Sequence, residues 1–222
     1  MPPRLLYLHG FASGPRSTKG IAFAAHFAAR GLALDCLDLR VPSLEHLRLS
    51  AMLDRVRQAI GGASDQAVLI GSSLGGLAAA RVAERDARVV ALVLMAPAFQ
   101  LVARWRALPG WDDWRRSGWR EIRDFHTGRP ARVDFGFAED AMAIDAGEPA
   151  VTAPTLILHG AHDDVVPIEQ SRAFAAGKPH VALIELDDGH ELVRSLPRLL
   201  DETDRFLAPW AGPAPVRPPP AP

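Results

Sequence analysis

Short apolar runs rich in Leu, Ile and Val alternate along the chain with longer segments in which apolar residues recur at helical spacing. The runs predict strands at Arg4 to Leu8, Leu32 to Leu39, Ala67 to Ile70, Val89 to Met95, Thr155 to Leu158 and Val181 to Leu186. The segments between them predict helices near Ser17 to Arg30, Ser43 to Ile60, Leu74 to Arg85, Ile168 to Ala176 and Glu191 to Leu207. Strands that read as unbroken apolar runs are covered on both faces, so this alternation predicts an α/β fold with a mostly parallel sheet and helices on both sides. The second helix shows the logic. Leu49, Leu53, Val56 and Ile60 fall on one face, Ser43 offers an N-cap and Gly61 supplies a C-terminal stop.

The alternation breaks once. Between Pro97 and about Thr152, some fifty residues follow a strand where a crossover helix belongs. This predicts a lid or cap insertion at residues 98–150 within a core formed by 1–97 and 151–210. The insertion holds Trp105, Trp111, Trp114 and Trp119, four of the five tryptophans, with Phe125, Phe135 and Phe137. These aromatics read either as the lining of an apolar acyl or aryl pocket or as the insertion's own small core. Residues 211–222, dominated by Pro and Ala from Gly212 onward, are expected to be a disordered or extended tail.

With 222 residues, 48% of them hydrophobic, the chain is long enough for one sizeable core. Its formal net charge is −1, so no broad field favours nucleic acid or an anionic membrane, and a small molecule is the expected partner. Cys36 is the single cysteine, which excludes an internal disulfide and reads as a buried apolar thiol. The longest apolar stretch, Val89 to Phe99, is interrupted by Pro97 and falls short of the roughly 18 residues of a membrane span. The run Leu5 to Leu8 is too short for a signal-peptide core, so a cytoplasmic protein is expected. Oligomeric state has no signal in the sequence.

The strongest local signal is Gly71-Ser72-Ser73-Leu74-Gly75-Gly76, which lies directly after one predicted strand and opens a predicted helix. It matches Gly-x-Ser-x-Gly with Ser73 central. A strand that turns sharply into a helix strains its corner residue, and the positions two before and two after must lack bulk. The same turn aims the Leu74 N–H at a bound carbonyl oxygen, and the N–H of Phe11, after the first strand in Leu8-His9-Gly10-Phe11, offers a second oxyanion donor. His9 reads as a hydrogen-bonded structural residue.

A serine hydroxyl is a poor nucleophile at neutral pH and needs an imidazole to take its proton, with a carboxylate to orient that imidazole. Asp163 and Asp164 both lie in the loop beyond the strand at Thr155 to Leu158, and either can supply the carboxylate. His190 follows the last strand in Asp187-Asp188-Gly189-His190 and comes last in the chain order nucleophile, acid, histidine. His26, His46, His126 and His180 read as surface or packing residues. His159, His162 and the neighbouring aspartates contain metal-ligand types but lack an intact zinc signature, so no metal and no cofactor are expected. Six arginines of the insertion, Arg104 to Arg123, interleave with Asp112, Asp113, Glu121 and Asp124 and read as a solvated helix face.

Leu6-Tyr7-Leu8-His9-Gly10-Phe11 with Ser13 and Pro15-Arg16-Ser17, the run Gly71 to Gly76, and His159 to Pro167 together resemble the YqiA/YcfP-type bacterial esterases of the α/β-hydrolase superfamily. The resemblance covers most of residues 4–207. It implies an α/β-hydrolase fold with about six mostly parallel strands and a small helical lid. It also implies cleavage of esters or thioesters, with Ser73 as nucleophile, Asp163 rather than Asp164 as acid, and His190 as base. The segment from about Ala98 to Ala150 looks longer than in compact members and is closer to capped thioesterases of that superfamily. With the lid read as a pocket wall, Trp105, Trp111, Trp114 and Trp119 are the expected substrate-binding residues.

Overall fold

The computed structural model describes residues 2–211. The chain begins with β1 (Arg4–Leu8), α1 (Thr18–Ala28), β2 (Leu34–Leu37), α2 (Leu49–Ile60), β3 (Ala67–Ser72), α3 (Leu74–Ala83) and β4 (Val89–Met95). Then come α4 (Leu101–Ala107), α5 (Trp111–Ser117), β5 (Trp119–Arg123), β6 (Pro130–Asp134) and α6 (Gly136–Ile144). It closes with β7 (Thr155–Gly160), α7 (Ile168–Ala175), β8 (Val181–Leu186) and α8 (Leu196–Ala211). Six strands form one sheet in the order β2-β1-β3-β4-β7-β8, every pair parallel. Residues 212–222 of the expected tail lie outside the described residues.

Alternate strand positions feed two cores. Leu6, Leu8, Leu69, Leu92 and Leu94 pack with Leu53, Val56 and Ile60 of α2, Leu77 of α3 and Phe174 of α7. Leu5, Tyr7, Val68, Ile70, Val93 and Met95 pack on the other side with Phe23 and Phe27 of α1 and Leu199 and Leu207 of α8. Because side chains alternate across a strand, an unbroken apolar run is what two covered faces demand. The crevice at the C-terminal ends of the central strands is where such a sheet receives ligands.

Two helices start later than expected. Arg48, not Ser43, sits at the N-cap of α2, and the Ser43 hydroxyl instead accepts the His46 N–H at 3.2 Å in a turn. The donor that α2 leaves open at Ser50 is met by the Asp140 carboxylate of α6 at 2.8 Å, a cap supplied from ninety residues away and absent from the local sequence. α8 begins at Leu196 rather than Glu191, which puts Pro197, with no N–H and a fixed φ, in the first helical turn where it is tolerated.

The segment 98–150 is not purely helical. β5 and β6 form an antiparallel two-stranded sheet between α5 and α6. Charged positions on both strands hid this hairpin from a reading of apolar runs. Its aromatic residues form edge and tilted ring contacts with one another, Trp114 with Trp105, Trp111 and Phe135 at 5.4–5.9 Å. Ionic contacts bind it to the rest: Asp134 accepts from Arg48 at 2.7 Å, and Asp145 meets Arg81. Among the described residues, no helix is long and apolar enough to cross a membrane.

Candidate active site

Ser73 occupies the one-residue corner between β3 and α3, with φ 52° and ψ −115°. A non-glycine residue in that region is strained, at a cost of order 1–3 kcal/mol, and persists only where the surroundings over-determine it. They do so here. The Ser73 N–H donates to the Met95 carbonyl at 2.9 Å, and the Ser73 carbonyl accepts from Gly76, Leu77 and Ala98 at 2.9–3.1 Å. A Cβ at Gly71 would lie 2.5 Å from the Gly75 carbonyl oxygen, and one at Gly75 would collide with the Leu8 and His9 backbone. The two small residues flanking the corner are therefore a steric requirement of this turn.

The loop after β8 delivers His190 to this corner. Its Nε2 is 3.0 Å from Ser73 Oγ and its Nδ1 is 2.8 Å from Asp163 Oδ2. With a carboxylate facing Nδ1, that nitrogen carries the proton, and Nε2 accepts from the serine hydroxyl. Asp163, not Asp164, reaches the imidazole. The Asp163 side chain is fully buried, whereas Asp164 is exposed. Burial pushes the Asp163 carboxyl up, but hydrogen bonds from His159, His190 and the Val166 N–H outweigh it and hold the group well below the usual carboxylate range.

His159, which in the sequence reads as a metal-ligand type, faces the acid instead. Its side chain is fully buried, with Nε2 3.1 Å from Asp163 Oδ2 and 2.9 Å from the Val166 carbonyl, and Nδ1 2.7 Å from the Ser171 hydroxyl. Two acceptors face Nε2, so that nitrogen bears the proton and Ser171 donates to Nδ1. No local pattern announces this, because His159 and Ser171 lie on β7 and α7 and meet only when the helix packs on the strand. His162 is on the surface, bonded to Asp187 at 2.9 Å. Among the described residues, no group of three His, Cys, Asp or Glu could hold a metal ion.

Gly10 packs against the corner: a Cβ there would sit 3.4 Å from Ser73 Cβ. The N–H groups of Phe11 and Leu74 have no intramolecular acceptor among the described residues. The His9 ring is buried behind them, Nε2 accepting the Leu39 N–H at 3.0 Å and Nδ1 donating to the Gly10 carbonyl at 2.9 Å, which ties β1's loop to β2's. Burial lowers the His9 pKa.

A cavity of about 590 Å³ opens over Ser73 and His190, bordered by Gly10, Phe11, Leu74, Leu101, Trp105 and Phe125 among others. Of the four tryptophans expected to bind substrate, Trp105 alone borders it. Trp114 is 1% exposed, donates its indole N–H to the Val133 carbonyl at 3.1 Å and borders an adjoining cavity of about 280 Å³ that shares Phe11, Trp105 and Phe125 with the first. Trp111 packs on Trp114 and Phe135, and Trp119 lies between His46 and the Arg132 guanidinium. Trp111 and Trp114 pack on rings of residues 98–150, whereas Trp119 is held between His46 of the preceding segment and Arg132, so these three rings find partners away from the Ser73 cavity.

A family model described as "Uncharacterised protein family (UPF0227)" matches residues 4–202. The chain belongs to the UPF0227 family. Solved structures place this UPF0227 chain in the α/β-hydrolase fold. Alpha/beta hydrolase domain-containing protein 10 from mouse is 22% identical with a TM-score of 0.75, covering 93% of this chain and 90% of that one. Est1E from Butyrivibrio proteoclasticus with bound ferulic acid is 21% identical with a TM-score of 0.77, covering 94% and 89%. An esterase domain of a Rhodothermus marinus protein is 21% identical with a TM-score of 0.65, covering 96% and 90%. Comparison with curated proteins gives no match.

Proposed function

We propose that this UPF0227 protein is a serine hydrolase that cleaves carboxylic esters or thioesters through an acyl-enzyme. The observation that carries the reading is the continuous chain of hydrogen bonds from Ser73 Oγ through His190 to the buried Asp163 carboxylate, at 3.0 and 2.8 Å. In this reading Ser73 attacks the acyl carbon while His190 Nε2 takes its proton, and Asp163 holds the imidazole tautomer and stabilises the imidazolium. The N–H groups of Phe11 and Leu74 hold the oxyanion. His190 then gives its proton to the departing alkoxide or thiolate, and water, activated by the same imidazole, releases the acid. These steps call for no cofactor and no metal.

Residues 98–150 act in this reading as a cap on the core of 1–97 and 151–210, with Trp105 and Phe125 forming an apolar wall for the acyl or aryl group. The Est1E structure, similar in fold, holds ferulic acid, an aromatic acid, which supports an aryl or acyl group as the occupant. The test is steady-state hydrolysis of a chain-length series of acyl esters and thioesters. Cleavage that Ser73→Ala lowers by about four to six orders of magnitude is expected, and cleavage that survives the substitution would overturn the assignment.

A further inference from the structure

The cavity over Ser73 carries a charge imbalance that the apolar wall does not explain. Three basic side chains border it, Arg16, Lys19 and Arg104, against one carboxylate, Glu191. That carboxylate is 80% exposed and stands 3.7 Å from the Lys19 ammonium, beyond hydrogen-bond reach. The Lys19 side chain is only 9% exposed, yet its three N–H donors find a single hydrogen bond, to the Glu191 backbone carbonyl at 2.7 Å. Arg104 makes one, to the Val165 carbonyl at 2.6 Å, and its Nε is buried without a partner. Arg16, at the rim, has neither a hydrogen bond nor an ion pair among the described residues.

Elsewhere this chain pairs its sheltered arginines with carboxylates. Arg81 meets Asp145 and Glu84, Arg30 meets Asp204, and Arg48 meets Asp134. A sheltered cation with few hydrogen bonds is costly: Lys19 has only the exposed Glu191 carboxylate within ion-pair distance, and burial lowers the pKa of both Lys19 and Arg104 although nearby carboxylates, Asp163 among them, act against it. A crevice with low-dielectric walls and one sign of charge also concentrates ions of the opposite sign. The three cations lie where a bound substrate would be, beside an otherwise largely apolar lining.

We infer that the substrate is an ester or thioester carrying a carboxylate or phosphate, that anionic group held by Lys19, Arg104 and Arg16. The inference rests on the serine-hydrolase reading and narrows its substrate class. The anionic group belongs either to the acyl chain or to the leaving group, and matched ester pairs separate these. For the acyl side, kcat/KM is compared for mono-4-nitrophenyl glutarate and 4-nitrophenyl valerate. For the leaving group, 3-carboxy-4-nitrophenyl butyrate is compared with 4-nitrophenyl butyrate.

A charge-assisted hydrogen bond in a sheltered site predicts a preference of about tenfold or more for the anionic member of one pair at low salt. The preference should shrink as ionic strength rises. In Arg104→Gln and Arg16→Gln the ratio within that pair should fall toward one, since each removes a cation from the cavity. Ser73-dependent cleavage with no anionic preference in either pair would overturn the inference and leave the hydrolase reading standing. Absence of Ser73-dependent cleavage of all four esters would overturn both.

Discussion

His159 and His190 hold the same oxygen of Asp163, their ring nitrogens 3.1 and 2.8 Å from Oδ2. The carboxylate is thus pinned from two sides, with Oδ1 taken by the Val165 and Val166 N–H groups at 2.9 and 2.7 Å. His159 is a positioning residue in this arrangement. His159→Ala should lower kcat by about tenfold to a hundredfold, since small displacements of an orienting group cost that much. It should also move the acid-side loss of activity to higher pH, because a carboxylate with one donor fewer is more basic. His159→Gln, which retains an N–H near Nε2, should recover part of both effects. An unchanged kcat and pH profile in His159→Ala would remove the role.

Ser73 stores strain. With φ at 52° and ψ at −115°, replacement by Gly relieves a conformation that replacement by Ala retains. Ser73→Gly should therefore be more stable than Ser73→Ala by about 1 kcal/mol, and both should be inactive. Urea denaturation midpoints of the two variants check this, and equal midpoints would mean that the corner is unstrained.

Two tryptophans of the insertion should separate by readout. Trp114→Ala empties a buried site and removes the indole hydrogen bond to the Val133 carbonyl, so a loss of about 3–5 kcal/mol in stability is expected. Trp105→Ala alters the wall of the Ser73 cavity and should raise KM for long acyl or aryl esters with a smaller loss of stability. Equal effects on KM from the two variants would count against the assignment of Trp105 alone to the cavity.

His9 links folding to pH. Its buried ring accepts the Leu39 N–H and so must be neutral at Nε2, and burial holds its pKa below the ordinary value of about 6.5. The folded protein then binds fewer protons there than the unfolded chain. The resulting stability is complete above about pH 6.5 and is lost as pH falls from there through the lowered value. Urea midpoints of wild type should drop between about pH 7 and pH 5 more steeply than those of His9→Asn, whose amide does not titrate. Parallel slopes would contradict the linkage.

What the sequence made legible follows from how local each cause is. The central strands could be read because their runs are apolar on both faces, as in Val68 to Ile70, and the Ser73 corner because a sharp turn needs small residues at Gly71 and Gly75. The rest depends on contacts that only the folded chain makes. Asp140 caps α2 from a distant helix, Ser171 fixes the tautomer of His159 from the next helix, and Trp111, Trp114 and Trp119 choose insertion partners over the crevice. The β5–β6 hairpin escaped because its strands are charged and half exposed, so its stability comes from ion pairs and ring contacts rather than from an apolar period.

The most direct measurement is labelling of the purified protein by a fluorophosphonate probe, followed by mass spectrometry of the modified peptide. Only a serine whose proton an adjacent base accepts reacts quickly with such a probe. The account predicts rapid stoichiometric labelling at Ser73, greatly slowed in His190→Ala and absent in Ser73→Ala. Labelling elsewhere, or none at all in the folded wild-type protein, would contradict it.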